Sequence, residues 1–407
     1  MLDIEKGDFG VVHHFLAVDG TELELYFVLW KDASMTLWRT RRVRKDTPEI
    51  QHPAPSTRRE PITWPSDAPP LTIAPFTEEQ AKQHQQAWAD YLGVPVEKEI
   101  VLGRNERGLD IKLSMVLIPP GEFLMGSSDE EIAKLRDQAR AEGLKQKDFQ
   151  WIDLEGPQRC VRITRPFYIS RTEFTKGQFG SFVDATEYQT QAESSGKGSW
   201  TLRGQKMVLD PQINWRTQPQ TAPGAPVMHV TWNDANACCR WLTEQDADLT
   251  FALPTEAQWE YASRAGTTTA WCFGDDASLL KDYAMFHSGW NLAGNRKPNA
   301  FGLYDMHGNV WEWCRDAISN YRDAGNVDPV GPDGDKRILR GGNCFGVVKT
   351  DWNNASGCRS AARFEVPANL CVVDKGFRVI AALPEGLLQS KASPRRRTYA
   401  RGESINA

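Results

Sequence analysis

The cysteines are the side chains in this chain whose chemistry depends most on their spacing. Eight cysteines occur in 407 residues, which is too sparse for a disulfide scaffold. No CxxC pair is present, and this argues against a structural zinc ribbon. Cys238 and Cys239 are neighbours on an apparent helix, which indicates a structural role. Any redox chemistry must therefore come from the cysteines after Gly341-Gly342, of which Cys344 and Cys358 come first.

Two segments precede the part of the chain that carries these cysteines. Residues 1–45 are predicted to form a small β hairpin or meander, because two apolar runs flank Asp19-Gly20, a strong two-residue turn signal. Residues 46–76 are rich in proline and polar residues and have no period. That composition predicts an extended linker.

Capping signals place short helices further along the chain. A serine or threonine followed three residues later by glutamate or glutamine satisfies exposed N–H groups at a helix start. The pair Thr77 and Gln80, together with an apolar stripe at helical spacing, predicts an amphipathic helix over residues 77–93. The same pattern predicts helices that begin after Ser128, Thr175 and Thr255, and apolar spacing predicts another from Trp232 to Glu244.

The composition and patterning of residues 112–383 predict one domain. Eleven of the fifteen tryptophans lie between residues 151 and 352, and long stretches between the helices have little period. Such irregular chain needs buried tryptophans, side-chain hydrogen bonds or bound ions to hold it. Residues 390–407 contain three consecutive arginines and almost no apolar side chains, which predicts a disordered tail.

Charge and composition argue against several classes of function, namely nucleic-acid binding and membrane association. The net charge of -5 provides no basic field for nucleic acid or an acidic membrane. No apolar stretch has the length of a membrane helix, and the first residues lack the pattern of a signal peptide. We therefore expect a cytoplasmic protein with no nucleic-acid or membrane partner.

Eight segments of the chain, in this order and at these spacings, closely resemble the formylglycine-generating enzyme family, also called sulfatase-modifying factors. They cover about two thirds of the chain, which makes the resemblance more specific than one short motif. The segments are LIPPGEFLMGS, RPFYISRTEFTKGQF, PVMHVTWNDANACCRWL, LPTEAQWEYASRAG, NAFGLYDMHGNVWEWC, RGGN, CRSAARF and DKGFRV.

The resemblance implies both a fold and an activity. The implied fold is α+β and C-type-lectin-like, with a small twisted antiparallel sheet, short helices and long irregular loops. The implied activity is aerobic oxidation of a cysteine in a client peptide, such as a sulfatase segment, to formylglycine. In the family, two cysteines shortly after the Gly-Gly turn bind copper(I), which suits the soft character of thiolate ligands.

This sequence departs from the family pattern at the copper ligands. The family cysteines have four residues between them, whereas thirteen residues separate Cys344 from Cys358. Asn343 also stands where the enzyme has a serine. If active, the chain would use Cys344 and Cys358 as the catalytic pair. The alternative is that both cysteines are small buried apolar residues.

The resemblance also implies a calcium site. Asp305, Gly308, Val310 and Glu312 match the family's ligands residue by residue in LYDMHGNVWEW. A hard cation prefers carboxylates and backbone carbonyls, which a tight turn at Gly308 can direct inward. The alternative is a turn stabilised by aspartate and asparagine without a metal ion.

Trp311, Asn343 and Arg363 fall at positions that resemble the walls of the family's peptide groove. An arginine beside a tryptophan face can bind a carboxylate or stack, although a tryptophan at this position can equally be part of the core. Two functions remain open on the sequence alone. One is a copper- and oxygen-dependent oxidase acting on a client peptide or protein, and the other is a non-catalytic module that binds a peptide, protein or small ligand.

Overall fold

The computed structural model describes residues 60–204, 206–218, 220–285, 291–319, 321, 325–344 and 355–392 in full, and the backbone of three strands between residues 9 and 43. The contacts divide the chain into two compact units, Met1–Arg58 and Arg59–Ala407. In the part of the chain that the structure describes, no helix is both long enough and apolar enough to cross a membrane.

The first unit contains an antiparallel meander. Its strands are β1 (Phe9–Val18), β2 (Thr21–Trp30) and β3 (Met35–Val43), in the order β1-β2-β3. Val18 pairs with Thr21, so the two strands are joined by two residues, as the turn signal predicts. Residues 46–59 of the predicted linker lie outside the described residues.

The second unit is built around an antiparallel five-stranded sheet in the order β12-β17-β9-β6-β5. These strands are β5 (Glu97–Arg104), β6 (Asp110–Ile118), β9 (Phe167–Ser170), β12 (Thr250–Ala252) and β17 (Ile380–Ala382). The sheet joins the start and the end of the unit, because β17 pairs with β9 and β9 pairs with β6. The largest apolar cluster packs against it and contains Trp88, Trp215 and Trp313.

A second sheet carries the segments that the sequence associates with chemistry. It has the order β15-β14-β13-β16, with β13 and β16 parallel and the other pairs antiparallel. Its strands are β13 (Trp311–Trp313), β14 (Lys336–Arg340), β15 (Phe364–Pro367) and β16 (Lys375–Gly376). Gly341 and Gly342 directly follow β14 and lead to Cys344.

The other strands in the described part of the second unit form two smaller sheets. One pairs β4 (Thr72–Ile73) with β7 (Gly121–Met125) and β7 with β8 (Arg159–Ile163), and the other pairs β10 (Ser199–Arg203) with β11 (Lys206–Asp210).

The helices are short and most begin at a side-chain cap. The longer ones are α1 (Glu78–Leu92), α2 (Asp129–Ala141), α4 (Lys176–Thr186), α6 (Trp232–Gln245), α7 (Glu256–Arg264) and α9 (Glu385–Ala392); the single turns are α3 (Gln146–Phe149), α5 (Gln191–Ser194) and α8 (Leu280–Tyr283). The predicted capping boxes at Thr77, Ser128, Thr175 and Thr255 are confirmed. Together with the irregular connections, these elements confirm the predicted α+β class.

Two boundary predictions need correction. Residues 60–76 are not an extended linker, because they pack on the second unit: Trp64 donates its ring N–H to Thr164 O at 2.9 Å, and β4 lies beside β7. The predicted tail also starts too early. Helix α9 includes residues 390–392, and residues 393–407 lie outside the described residues.

Candidate functional site

The turn after β14 brings Cys358 close to Cys344 in space. Gly341 and Gly342 have φ values of 94° and 78°, a region that glycine adopts without strain. A Cβ atom on Gly342 would lie only 2.6 Å from Sγ of Cys358. Glycine is therefore required here for two reasons, and its lack of a side chain lets Cys358 pack directly against the turn that precedes Cys344.

Both thiols are buried and held in their neutral form. Cys344 is 1% exposed and Cys358 is 0% exposed. Burial raises the pKa of Cys358 to about 12, against the opposing effect of the Asn343 backbone N–H. Burial also raises the pKa of Cys344, and the nearby Asp374 and Cys358 raise it further. The thiolate is the nucleophile and the metal ligand, so each thiol must lose its proton, against the effect of burial, before it can take either role.

Cys358 belongs to a small cluster of buried apolar side chains. The cluster contains Trp271, Leu280 and Ala284 as its other buried members. Such packing is the usual environment of a structural cysteine. This buried, apolar environment is the one expected for the alternative to a copper(I) pair, in which both cysteines are small structural residues.

Trp311 lies next to this pair and is partly exposed. Its ring meets the Phe364 ring edge-on at 4.8 Å, and the Phe364 ring also lies 4.8 Å from the Trp151 ring. A Cβ on Gly357, the residue before Cys358, would lie 3.9 Å from the Trp311 ring. These three rings form an aromatic row beside the cysteines.

Asp374 connects the polar residues of the same region. Asn343 donates its side-chain N–H to one carboxylate oxygen of Asp374 at 2.6 Å, and Lys375 donates to the other at 2.7 Å. The backbone N–H of Trp311 donates to Asp374 O at 2.9 Å. Asp374 therefore links Asn343, through its carboxylate, to Trp311, through its backbone carbonyl.

Arg363 does not belong to this surface, and the expectation that it forms a groove wall is wrong. It is 1% exposed, donates to Glu256 at 2.6 Å and lies over the Tyr321 ring at 4.3 Å. Its partner Glu256 also pairs with Arg340, which in turn pairs with Glu260. A guanidinium buried away from water needs such partners, so Arg363 belongs to an interior network of ion pairs and not to a surface groove.

The predicted calcium segment forms a tight turn with two non-glycine residues at positive φ. Asp305 has φ 59° and Asn309 has φ 63°. Asp305 is buried, and its Oδ2 accepts a hydrogen bond from Gly294 N–H at 2.5 Å. Its Oδ1 has no partner among the described residues. An orphaned, buried carboxylate oxygen fits the donor that a calcium ion needs.

The resemblance implies that Glu312 is a calcium ligand, but its carboxylate is paired with an arginine. Arg378 donates to both of its carboxylate oxygens at 2.6 Å, and Trp259 donates its ring N–H to Oε2 at 2.6 Å. A different carboxylate, Glu173, lies within hydrogen-bonding reach of Asp305, and neither of its oxygens has another partner in the described part of the chain. Sequence reasoning missed Glu173, although it lies within RTEFTKGQF, one of the segments that carry the family resemblance.

Both ring nitrogens of His307 are occupied by hydrogen bonds, so this histidine is not available as a metal ligand. The ring nitrogens of His307 meet Cys358 O at 2.9 Å and Cys272 N–H at 3.1 Å. Burial lowers the pKa of His307 to about 4. Within the described ranges, no three histidine, cysteine, aspartate or glutamate side chains converge in a metal-binding arrangement. A cation here would therefore take its other donors from backbone carbonyls or water.

Comparison with known proteins supports the family resemblance seen in the sequence. Residues 103–383 match the family model of the sulfatase-modifying factor enzyme 1-like domain, so the domain begins slightly earlier than the sequence suggested. The formylglycine-generating enzyme of Streptomyces coelicolor is 33% identical over 56% of this chain and 77% of its own length. The inactive C-alpha-formylglycine-generating enzyme 2 of Mus musculus is 30% identical over 59% of this chain and 77% of its own.

A solved structure shares the fold. The structure of PvdO from Pseudomonas aeruginosa superposes with a TM-score of 0.53, covers 70% of this chain and 98% of its own length, and is 24% identical. That likeness supports the α+β architecture alone. With the family model covering more than half of the sequence, the chain belongs to the formylglycine-generating enzyme, or sulfatase-modifying factor, family.

Proposed function

We propose that this chain is a protein-binding member of the family, which holds a cysteine-containing segment of a client protein beside Trp311 without oxidising it. One observation carries the proposal. The two cysteines that follow the Gly-Gly turn are buried, neutral thiols, whereas Trp311 beside them remains partly exposed.

The aromatic row supplies a binding surface whose shape is fixed before a client arrives. Trp311 is anchored through its backbone to Asp374, and its ring is braced by Phe364. Asn343 donates to the side-chain carboxylate of Asp374, whose backbone carbonyl accepts from Trp311. A rigid aromatic residue with polar neighbours loses little conformational entropy on binding, which is why such residues contribute strongly at interfaces.

The arrangement of the thiols argues against oxidation. To bind copper(I), both thiols must lose their protons, and burial opposes this at each of them. Cys358 must also leave its apolar neighbours. The existence of family members described as inactive, at an identity close to that of the active ones, is consistent with a member that binds and does not oxidise.

Oxidation of a client cysteine is the second candidate, and one observation favours it. Cys358 packs against Gly342, two residues before Cys344, so folding compensates in part for the long spacing between the cysteines. Copper(I), when bound by two thiolates, supplies the activation of oxygen in this family.

The experiment uses the full chain with a CxPxR peptide, copper(I) and oxygen. We expect mass spectrometry to show no formylglycine under conditions in which the Streptomyces coelicolor enzyme converts the peptide. We also expect fluorescence anisotropy to show binding of the same peptide, weakened about tenfold or more in Trp311→Ala. Thr63→Ala, an exposed position, is the control.

Conversion of the peptide by the unmodified chain, lost in Cys344→Ala, would establish the oxidase instead. Failure of the peptide to bind, or equal binding by Trp311→Ala, would remove the proposed role of the aromatic row.

A further inference from the structure

The hairpin of β10 and β11 exposes apolar side chains on one of its faces. In an antiparallel pair, residues directly opposite each other point to the same face. Trp200 lies opposite Leu209, and Leu202 lies opposite Met207, so these four side chains share a face. Leu202, Met207 and Leu209 are 38%, 39% and 37% exposed, and Trp200 is partly exposed.

The other face of the hairpin contains its buried residues, and these are polar. Ser199 and Thr201 are 0% and 5% exposed. The Ser199 hydroxyl lies 2.7 Å from Nδ1 of the buried His229. An antiparallel sheet with one solvated face normally turns its apolar side chains to the core and its polar ones to water. This hairpin has the opposite arrangement.

The charged residues of the two strands also lie on the polar face. They are Arg203, Lys206 and Asp210, and the register places them on the face of Ser199 and Thr201. The apolar face therefore carries no charge of its own strands. A contiguous exposed apolar patch with polar surroundings marks an interaction site, so a partner that covers this face is expected to be apolar.

A short segment of main chain joins the hairpin to the surface at Trp311. Trp200 N–H donates to Cys371 O at 3.0 Å, and Val373 N–H donates to Trp200 O at 3.1 Å. The next residue is Asp374, whose backbone oxygen accepts from Trp311 N–H at 2.9 Å. The two tryptophans therefore flank the same segment.

These bonds limit the distance between Trp200 and Trp311. Each main-chain hydrogen bond holds the Cα atoms of its two residues within about 6.5 Å of each other, and consecutive Cα atoms are about 3.8 Å apart. The Cα atoms of the two tryptophans therefore lie within roughly 17 Å, a length that about five residues of extended chain span.

We propose that the apolar face of the β10–β11 hairpin binds an apolar segment of the client, about five residues from the client cysteine that lies beside Trp311. The inference rests on the proposed client-binding function and adds the class of client, a polypeptide with a run of apolar side chains near its cysteine. Covering Leu202, Met207 and Leu209 removes apolar area from water. No ion pair has to be broken or desolvated on this face.

The test uses the full chain and a set of fluorescent peptides that share a CxPxR core. One peptide is the core alone. Two others carry Val-Leu-Val five residues from the cysteine, on the amino side or on the carboxyl side, and two carry three serines in the same places. We expect fluorescence anisotropy to show that an apolar extension on one side strengthens binding about tenfold or more over the serine extension.

Variants of the hairpin locate the effect. Leu202→Thr/Leu209→Thr keeps residues that favour strands and removes two apolar side chains. We expect it to bind the core peptide like the unmodified chain and to lose the gain from the apolar extension. Lys206→Thr, an exposed position on the other face of the same hairpin, is the matched control and should keep that gain. Met207→Thr is the second variant and serves if the double variant does not fold.

The outcomes separate this inference from the function on which it rests. Binding of the core peptide with no gain from either apolar extension overturns the inference alone, and so does a gain that persists in Leu202→Thr/Leu209→Thr. If no peptide binds, the proposed function and the inference both fail. Sedimentation velocity of the chain without peptide tests the other occupant. A dimer that becomes monomeric in the double variant would assign this face to a second copy of the chain, which also overturns the inference.

Discussion

At the scale of single residues, Gly342 is the position on which the candidate site depends most directly. It combines a positive φ of 78° with contact distances of 2.6 Å to Cys358 Sγ and 3.0 Å to Cys358 Cα from the position of a Cβ. The first property is a requirement of the backbone and the second a requirement of packing. A control glycine with the same backbone and open surroundings separates the two.

Gly342→Ala is predicted to destabilise the second unit by roughly 2–5 kcal/mol, because overpacking adds to the strain of a left-handed alanine. Gly93 has φ 72° and nothing within 4 Å of its Cβ position, so Gly93→Ala should cost only about 1–2 kcal/mol. Urea unfolding followed by tryptophan fluorescence measures both. Equal losses would mean that Cys358 does not crowd the turn.

At the scale of elements, residues 60–76 show how composition can mislead. Proline and polar residues dominate this segment, but Trp64 packs edge-on against Trp88 at 4.8 Å, and Ile62 N–H donates to Thr164 Oγ1 at 3.0 Å. Trp88 itself is fully buried in α1. The segment therefore covers α1 with a few apolar anchors, and its prolines shape the path between them.

Trp64→Ala is predicted to lower the free energy of unfolding of the second unit by about 2 kcal/mol, since it removes a partly buried aromatic contact with Trp88. The neighbouring Thr63 is exposed, and Thr63→Ala should change the same quantity by less than about 0.5 kcal/mol. Denaturation curves for the two variants decide the matter. If the curves of the two variants coincide, Trp64 does not contribute to the stability of the second unit, and the segment behaves as a linker.

At the scale of the whole molecule, the contacts divide the chain after Arg58, which is earlier than the end of the predicted linker. The family match begins only at residue 103, yet α1 and the segment before it contribute Trp64, Trp88 and Leu92 to the second unit. The folding unit is therefore longer than the family domain at its amino end.

A fragment of residues 59–407 is predicted to melt cooperatively, within a few degrees of the corresponding transition of the full chain. A fragment of residues 94–407 lacks α1 and exposes the apolar surface that Trp88 covers, so we expect it to melt at least about 10 °C lower or to aggregate. Differential scanning calorimetry of both fragments measures this. Equal melting of the two fragments would show that α1 is dispensable.

The sequence by itself determined the features that depend on neighbours a few positions apart. The capping boxes at Thr77, Ser128, Thr175 and Thr255 involve residues three positions apart, so a single chain segment contains all of their partners. The family resemblance also predicted the α+β class, because eight ordered segments identify a fold whose sheet geometry no local pattern specifies.

Only the tertiary structure decided the surroundings of the site. Arg363 meets Glu256 across 107 positions, and Arg378 meets Glu312 across 66. Which buried charge neutralises which depends on strand register and packing, and no local pattern encodes that choice. For the same reason, the sequence could name Cys344 and Cys358 as candidates, while the fold decided that they lie around Gly342 as neutral thiols and that Glu173 faces Asp305.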